Sequence, residues 1–270
     1  MRAMLQEWTP QIAALIGLLP LSVAAVTGRV RSGGLFWLLL GAALIGPVML
    51  VGSHLMAGWQ SGLAANLWAS IAVTLVIFTL VCFFRPGTYR LSALLLPYLG
   101  LLELLAVVFS HAPAVEALNM LALAWFRTHV MLAVSSYGML TVAAIAGFAV
   151  LLQEGALKRH DLQSWASRVL PPLTEAEALQ VRLLIWAAVL MGAAIASGVA
   201  NEFLETGHLL AFTHKILLSF LAFALIVGLL VLHHRTGFRG RRAARLLLAG
   251  YLLLTLAYPG VKFVRDVLIG

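Results

Sequence analysis

Between Thr128 and Arg159 the chain reads THVMLAVSSYGMLTVAAIAGFAVLLQEGALKR: a histidine, a long run with no formal charge, then Glu154, Lys158 and Arg159. As a helix rising ~1.5 Å per residue, the ~23 uncharged residues cover ~35 Å, enough to cross ~30 Å of hydrocarbon with some tilt. Lipid offers no water to backbone N–H and C=O groups, so a run of this kind has to satisfy them within itself, as an α-helix. One end carries a neutral imidazole and the other a cationic anchor.

Further runs of the same kind predict eight spans, at roughly 8–27, 34–58, 63–84, 91–110, 127–152, 179–200, 210–232 and 243–264. Only 10% of the 270 residues are charged and 62% are hydrophobic, where a soluble domain carries about 25% charged residues. The expected fold is therefore an all-α polytopic membrane protein of eight transmembrane helices, one domain over residues 1–270. The N-terminal run has Glu7 in its leading segment and no small-residue cleavage site before a soluble domain, which predicts a retained first span.

The connections alternate in charge. Arg29 and Arg31 lie in the first, Arg85 and Arg90 in the third, Lys158, Arg159 and Arg168 in the fifth. Arg235, Arg239, Arg241, Arg242 and Arg245 surround the seventh, whereas the second has no Lys or Arg, the fourth only Arg127 at its end, and the sixth none before Lys215. Cationic connections stay cytoplasmic, so this pattern predicts both termini on the outer, periplasmic side. The net charge of +8 thus reports topology and contact with anionic lipid, not nucleic-acid binding. The long fifth connection predicts a short amphipathic helix at about 158–170 on the cytoplasmic leaflet, ended by Pro171-Pro172. Thr174-Glu175-Ala176-Glu177 then has capping-box spacing for the sixth span.

Polar groups in hydrocarbon need partners. Placed on this topology, His54, His129 and His214 come from three spans to one depth near the outer face, with Glu103 below the outer end of the fourth. Imidazole is the commonest axial ligand of haem iron, so the three are candidate metal ligands; the other reading is an interhelical hydrogen bond or cap for each. Glu103 is either an acceptor that orients an imidazole or a protonated carboxyl bonded to a neighbouring helix. Ser135, Ser136 and Tyr137, two turns inward of His129, either bind the polar edge of a ligand or join helices, as Gly138, Gly147, Gly192 and Gly198 do. His111 and His208 fall in outer loops, and His160, His233 and His234 at the cytoplasmic side. Cys82 is the single cysteine, which excludes an internal disulfide or a Cys-based metal site. No Ser-His-Asp set, phosphate loop, metalloprotease motif or nucleotide fingerprint is present, nor a repeat of 20–50 residues.

The order of several motifs resembles the cytochrome c assembly protein family, which includes the haem-handling CcsA and CcmC proteins. These are THVMLAVSSYGMLTVAAIAG with ALKR after it, LPPL at 170–173, SG at 197–198, HK at 214–215, and HHRTGFRGRRAARLLLAGYLLLTLAYPGVKFV from 233. The closest likeness is to the YpjD-like branch of eight-span inner-membrane proteins, over roughly residues 45 to 265. The resemblance implies a haem-binding protein of a bacterial inner membrane, working in cytochrome c maturation beside other membrane proteins. It implies that His129 is an outer-face haem ligand, that His233 corresponds to the histidine before the family's basic turn, and that His54 with NLWAS at 66–70 is similar to a Gly-His…Asn-Leu-Tyr-Glu-Ser region. Two family features are missing: the tryptophan-rich outer loop, since the sixth connection has no Trp, and a second outer histidine where Tyr258-Pro259-Gly260 stands.

The expected cofactor is a b-type haem on His129 with His214 or His54, and with His233, Glu103 and Tyr137 as further candidates for its surroundings. The competing expectations are a regulator or scaffold that kept the fold without haem, or an accessory subunit of an ion transport system with Glu103 and the histidines along a polar path.

Overall fold

The computed structural model describes residues 2–56, 60–110, 115–116, 124–161, 163–206, 214–256, 260 and 263. The apolar runs form helices α1 (Arg2–Val26), α2 (Gly34–Met56), α3 (Leu63–Phe84), α4 (Ser92–Val108), α5 (Ala124–Lys158), α7 (Leu173–Thr206), α8 (His214–Thr236) and α9 (Gly240–Thr255). The short α6 (Trp165–Val169) lies in the connection before α7, and a 3-10 turn at Pro86–Leu91 leads into α4. Gln60–Ser61 (β1) pairs antiparallel with Val115–Glu116 (β2), tying two connections at the end of the bundle opposite the arginine-rich ones.

Seven of these helices are long and apolar enough to cross a membrane, as expected for a multi-pass membrane protein. The eighth candidate, α9, is described over 16 residues, and most of the residues that would carry it to 264 lie outside the described ones. The helices α5 and α7 run well past the ranges read from hydropathy. Hydropathy marks only the segment suited to lipid, while Gln153–Lys158 and Leu173–Ala178 continue the same hydrogen-bond ladder. The amphipathic helix in the fifth connection shrinks accordingly to Trp165–Val169, and Thr174 falls within the first turn of α7, not at its cap.

The helices close into two rings. In the first, α1 packs on α2 and α4, and α3 packs on the same two. In the second, α5 packs on α7 and α9, and α8 packs on the same two. Contact of α3 with α5 joins the rings. The repeat is thus one of four-helix units, too long to appear in a search for short periods. In the first ring the buried residues follow a stripe of alternating three and four residues: Ala14, Leu18, Leu21 and Ala25 on α1; Phe36, Leu40, Ala43, Pro47 and Leu50 on α2; Trp68, Ile71, Leu75, Phe78 and Cys82 on α3. On α4 the stripe is Ser92, Leu96, Leu99, Glu103 and Ala106. That spacing is what near-parallel helix packing demands.

Lipid tails give helices no hydrophobic reason to associate, so close packing of small residues holds them together. A Cβ on Gly46 would stand 2.6 Å from both Cα and Cβ of Ala14, and one on Gly17 would stand 3.2 Å from the Ala42 carbonyl oxygen. These two contacts fix α1 and α2 antiparallel. Buried hydroxyls are spent on the helices themselves: Ser70 donates to Asn66 O (2.8 Å), Thr74 to Ser70 O (2.6 Å) and Thr141 to Tyr137 O (2.8 Å).

At the basic end, Gln153 donates to the carbonyls of Ala166 (3.1 Å) and Pro171 (2.9 Å), and Trp165 Nε1 donates to Val26 O at 2.7 Å. The Gln153 bonds hold α6 to α5 of the second ring, and the Trp165 bond ties it to the end of α1 in the first. The carboxylate of Glu154 accepts from the backbone N–H of Arg241 at 2.8 Å, at the start of α9. An anion at a helix N-terminus is favourable, so the acidic residue that closes the uncharged run of α5 anchors α9. His160 ends α5 in the left-handed region with φ 52°, and Asp161 N–H reaches back to Ala156 O at 3.1 Å.

Two substitutions separate packing from propensity. Gly46→Val should lower the detergent unfolding temperature through overpacking worth about 1–3 kcal/mol. Gly52→Ala, where a Cβ meets nothing within 4 Å, should leave stability unchanged or raise it by about 0.5–1 kcal/mol.

Candidate functional site

His129 sits in the second turn of α5, and its ring crosses to α7. Its Nδ1 lies 2.9 Å from the carbonyl oxygen of Ala194 and 3.1 Å from Ser197 Oγ. A carbonyl only accepts, so Nδ1 carries the proton and donates it to Ala194. Ser197 Oγ donates to the same carbonyl at 2.9 Å, which turns its lone pairs toward the imidazole. The tautomer that results has its lone pair on Nε2, and Nε2 has no hydrogen-bond partner among the described residues.

Gly198 makes the approach possible. A Cβ there would stand 2.8 Å from His129 Cε1 and 3.2 Å from Nδ1, so any other residue would push the ring off α7. Nearer the basic end, Gly147 of α5 faces Gln180 of α7, with Gln180 Oε1 3.4 Å from its would-be Cβ. The pairs 129/198 and 147/180 are eighteen residues apart on both helices, so the antiparallel register holds from one site to the other. In the sequence Gly198 is legible as a place for helices to approach and as part of the SG motif, but not as the seat of an imidazole. Its neighbour Ser197 in the SG pair was the signal that could have identified the seat of His129.

His214 is the first residue of α8. Gly192 of α7 meets the ring of Phe223 of α8, at 3.4 Å from its would-be Cβ. Counting outward from that contact, the α8 backbone at His214 stands ~5 Å, about one turn, beyond the level of Gly198. Thus α5 and α8 face each other across the second ring, with a histidine near the same end of each. The side chain of His214 lies outside the described ones, as do His111, His208, Tyr258 and Pro259.

The other candidates stand apart from His129. His54 is on α2 in the first ring, at the next core position after Leu50. His233 is at the opposite end of α8, ~28 Å from His214 along the axis, and its Nδ1 donates to Phe238 O at 3.0 Å to close the turn into α9. It lines a groove of about 350 Å³ with Glu177, Arg182 and Arg239. Tyr137 is ~12 Å inward of His129 along α5. Its hydroxyl lies 3.3 Å from Tyr251 Oη and 3.3 Å from Thr255 Oγ1. Tyr251 Oη is 2.5 Å from Tyr98 Oη and accepts from Thr141 at 3.2 Å. This hydroxyl cluster ties α4 of the first ring to α5 and α9 of the second, and nothing in the sequence marks Tyr98 or Tyr251 for it. Glu103 is fully buried on the core stripe of α4, and neither carboxyl oxygen has a partner among the described residues. The acceptor that orients His129 is the Ala194 carbonyl.

No group of three or more His, Cys, Asp or Glu among the described residues is arranged to hold a free metal ion. Axial ligation of a haem needs only one or two imidazoles. An imidazole fixed through Nδ1 to a backbone carbonyl, with Nε2 unpartnered, is the arrangement that ligating histidines adopt. On this chemistry His129 fits the group.

A family model described as Cytochrome C assembly protein matches residues 35–269. The chain is similar to the "Uncharacterized 28.8 kDa protein in nifR3-like 5'region" of Azospirillum brasilense, at 41% identity over 272 residues, covering 99% of this chain and 100% of the relative. No solved structure matches.

The seat of His129 makes a graded prediction. Ser197→Ala leaves the Ala194 carbonyl as acceptor and should cost about 1 kcal/mol. Gly198→Val must displace the ring and should cost more, about 1–3 kcal/mol. Unfolding in detergent followed by tryptophan fluorescence measures both; equal effects would mean that His129 does not rest on Gly198.

Proposed function

The chain belongs to the cytochrome c assembly protein family, and from that premise we propose that it binds and handles haem through His129, with His214 as the second axial ligand. The observation that carries this reading is the fixed tautomer of His129. Its Nδ1–H is committed to Ala194 and Ser197, and its Nε2 lone pair is left for a ligand.

When bound, haem would supply a redox-active iron, which the imidazoles of His129 and His214 would hold. The rest is the work of this chain. Ala194 O and Ser197 hold the proton of His129 at Nδ1, and Gly198 gives the ring room against α7. Two neutral imidazoles add no charge to an apolar ring interior, so the site costs less to bury than a carboxylate or thiolate pair. The binding is non-covalent, of b-type, because a single cysteine buried in the first ring cannot supply two thioether links. The sixth connection lacks tryptophan, which favours holding or relaying haem over joining it to an apocytochrome.

The finer topology belongs to the same reading. We take α9 to continue to about residue 264 as an eighth span, in a protein of the YpjD-like branch in a bacterial inner membrane. The basic connections face the cytoplasm and both termini the periplasm, because the four connections with two or more Lys and Arg all lie at one end of the bundle. The haem end is then periplasmic, where other proteins of cytochrome c maturation would meet it.

The visible spectrum of detergent-purified protein, oxidised and reduced, tests the proposal. His129→Ala should abolish the Soret band, and His214→Ala should convert low-spin haem to a five-coordinate, high-spin form. An unchanged low-spin spectrum in His129→Ala would refute the site, and wild-type protein that never carries haem leaves the scaffold reading. A reporter fused after Gly270 should be active on the periplasmic side only. Neutralising Arg239, Arg241 and Arg242 together, at about 1 kcal/mol of lipid attraction each, should lower membrane yield and leave any spectrum intact.

A further inference from the structure

Among the described residues, four buried side-chain polar atoms have no hydrogen-bond partner: Gln11 Oε1, Trp68 Nε1 and both carboxyl oxygens of Glu103. All belong to the first ring, on α1, α3 and α4, which does not contain the seat of His129 on α5 and α7. We propose that these residues form a second site, in which Glu103 binds and releases a proton exchanged with the end of the bundle that carries His129. The proposal does not rest on haem binding.

The core stripes bring the three together. Gln11 precedes Ala14 by three residues and Leu18 by seven, so it continues the buried stripe of α1 by one turn. Trp68 is the first residue of the α3 stripe and is 1% exposed; Glu103 is fully buried on the α4 stripe. The register of α1 against α4 is set by Gly100, whose would-be Cβ lies 3.5 Å from Leu18. Glu103 is three residues beyond Gly100 and Gln11 seven beyond Leu18, toward the same end. Their backbones therefore differ in level by ~6 Å, a gap that a glutamine and a glutamate side chain can bridge. His54 follows Leu50 at the next core position of α2, toward that same end.

Depth favours exchange with that side. Glu103 is five residues, ~8 Å, from the end of α4 at Val108, and twice as far from its start at Ser92. Burial of a lone carboxylate without a counter-charge costs several kcal/mol. The described parts of α1 (from Thr9), α2, α3 and α4 contain no Lys or Arg. The titratable groups on the surrounding helices are His54 on α2, Cys82 on α3 at the far end, Tyr98 on α4 itself, and Arg127, His129 and Tyr137 on α5, with Glu154 and Lys158 at the far end of α5. None is hydrogen-bonded to Glu103. The protonated acid can donate its O–H to an amide oxygen such as that of Gln11, and the carboxylate can accept from the Trp68 N–H, directly or through water. Each form thus has a candidate partner within the ring. On release the proton leaves as hydronium at the His54 end, and the same oxygen takes it up again.

The hydrophobic reagent dicyclohexylcarbodiimide, which attacks protonated carboxyls in apolar surroundings, tests this on the full-length protein in membrane vesicles. Peptide mass mapping should find the adduct on Glu103, with reactivity falling about tenfold per pH unit above a midpoint. The label should be absent in Glu103→Gln and indifferent to added sodium. Trp68→Phe removes one donor to the carboxylate and should move the midpoint to higher pH; an unmoved midpoint would overturn the role of Trp68. No adduct at any pH, or an adduct independent of pH, would overturn the proposal, and protection by sodium would make this a metal-cation site instead. Should Glu103→Gln fail to insert, the infrared carbonyl band of a protonated acid in wild-type protein must still vanish reversibly as pH rises.

Discussion

The contact of α5 with α7 is the interaction on which the rest of the structure depends. It is the longest interface in the molecule, and its register is set by glycines on both helices: Gly198 beneath His129, and Gly147 beside Gln180. Beyond the basic end of that register, Gln153 binds the carbonyls of the turn that returns the chain from α5 to α7. A slip of one residue along this seam would turn the imidazole away from Ala194 and leave Gln153 buried without acceptors. In hydrocarbon such losses cannot be made good by water. Polar residues at both ends therefore specify an alignment that apolar contact alone would leave loose.

The two rings share one plan and use it differently. Each is four consecutive antiparallel helices closed by contact of the first with the last. The second is built from small residues, with Ala187, Ala188, Ala194, Ala222, Ala243 and Ala244 all buried, and the hydroxyl cluster of Tyr98, Tyr137 and Tyr251 fastens it to α4. The first is filled by larger side chains such as Trp68, Phe78, Leu40 and Leu99, and ends in polar groups that its own helices leave unpartnered. Where polar groups pair fully they act as rivets, and where they do not they mark a place that handles something else.

The helices were legible in the sequence because the length of an apolar run and the bilayer thickness answer to one another. The alternation of basic connections was legible because charge is confined to short turns. The limits were equally physical. Hydropathy stopped at residue 152, although the helix runs to Lys158 with Gln153 and Glu154 still buried or half-buried, because a polar side chain with a partner leaves no trace in an apolar average. The histidines read as one layer because depth follows from position along a span. Which ring each belongs to depends on helix neighbours, which a single sequence does not encode. So His129 and His54 share a depth but sit in different four-helix units. Tyr98 and Tyr251 meet across 153 positions of sequence, and nothing local announces it.

His129 and Glu103 show two outcomes for a titratable group in an apolar interior. The imidazole is half-accessible, and its one proton is fixed by a carbonyl and a hydroxyl of a single neighbouring helix. In the neutral ring that leaves a defined lone pair on Nε2, which suits a ligand that must be held in one orientation. The carboxyl of Glu103 is fully buried and has no partner at either oxygen among the described residues. Nothing in the structure favours one oxygen over the other, or one protonation state through a neighbouring charge. A group held in that way is suited to change state. The family relationship bears on the first residue, and the physics of the first ring alone argues for the second.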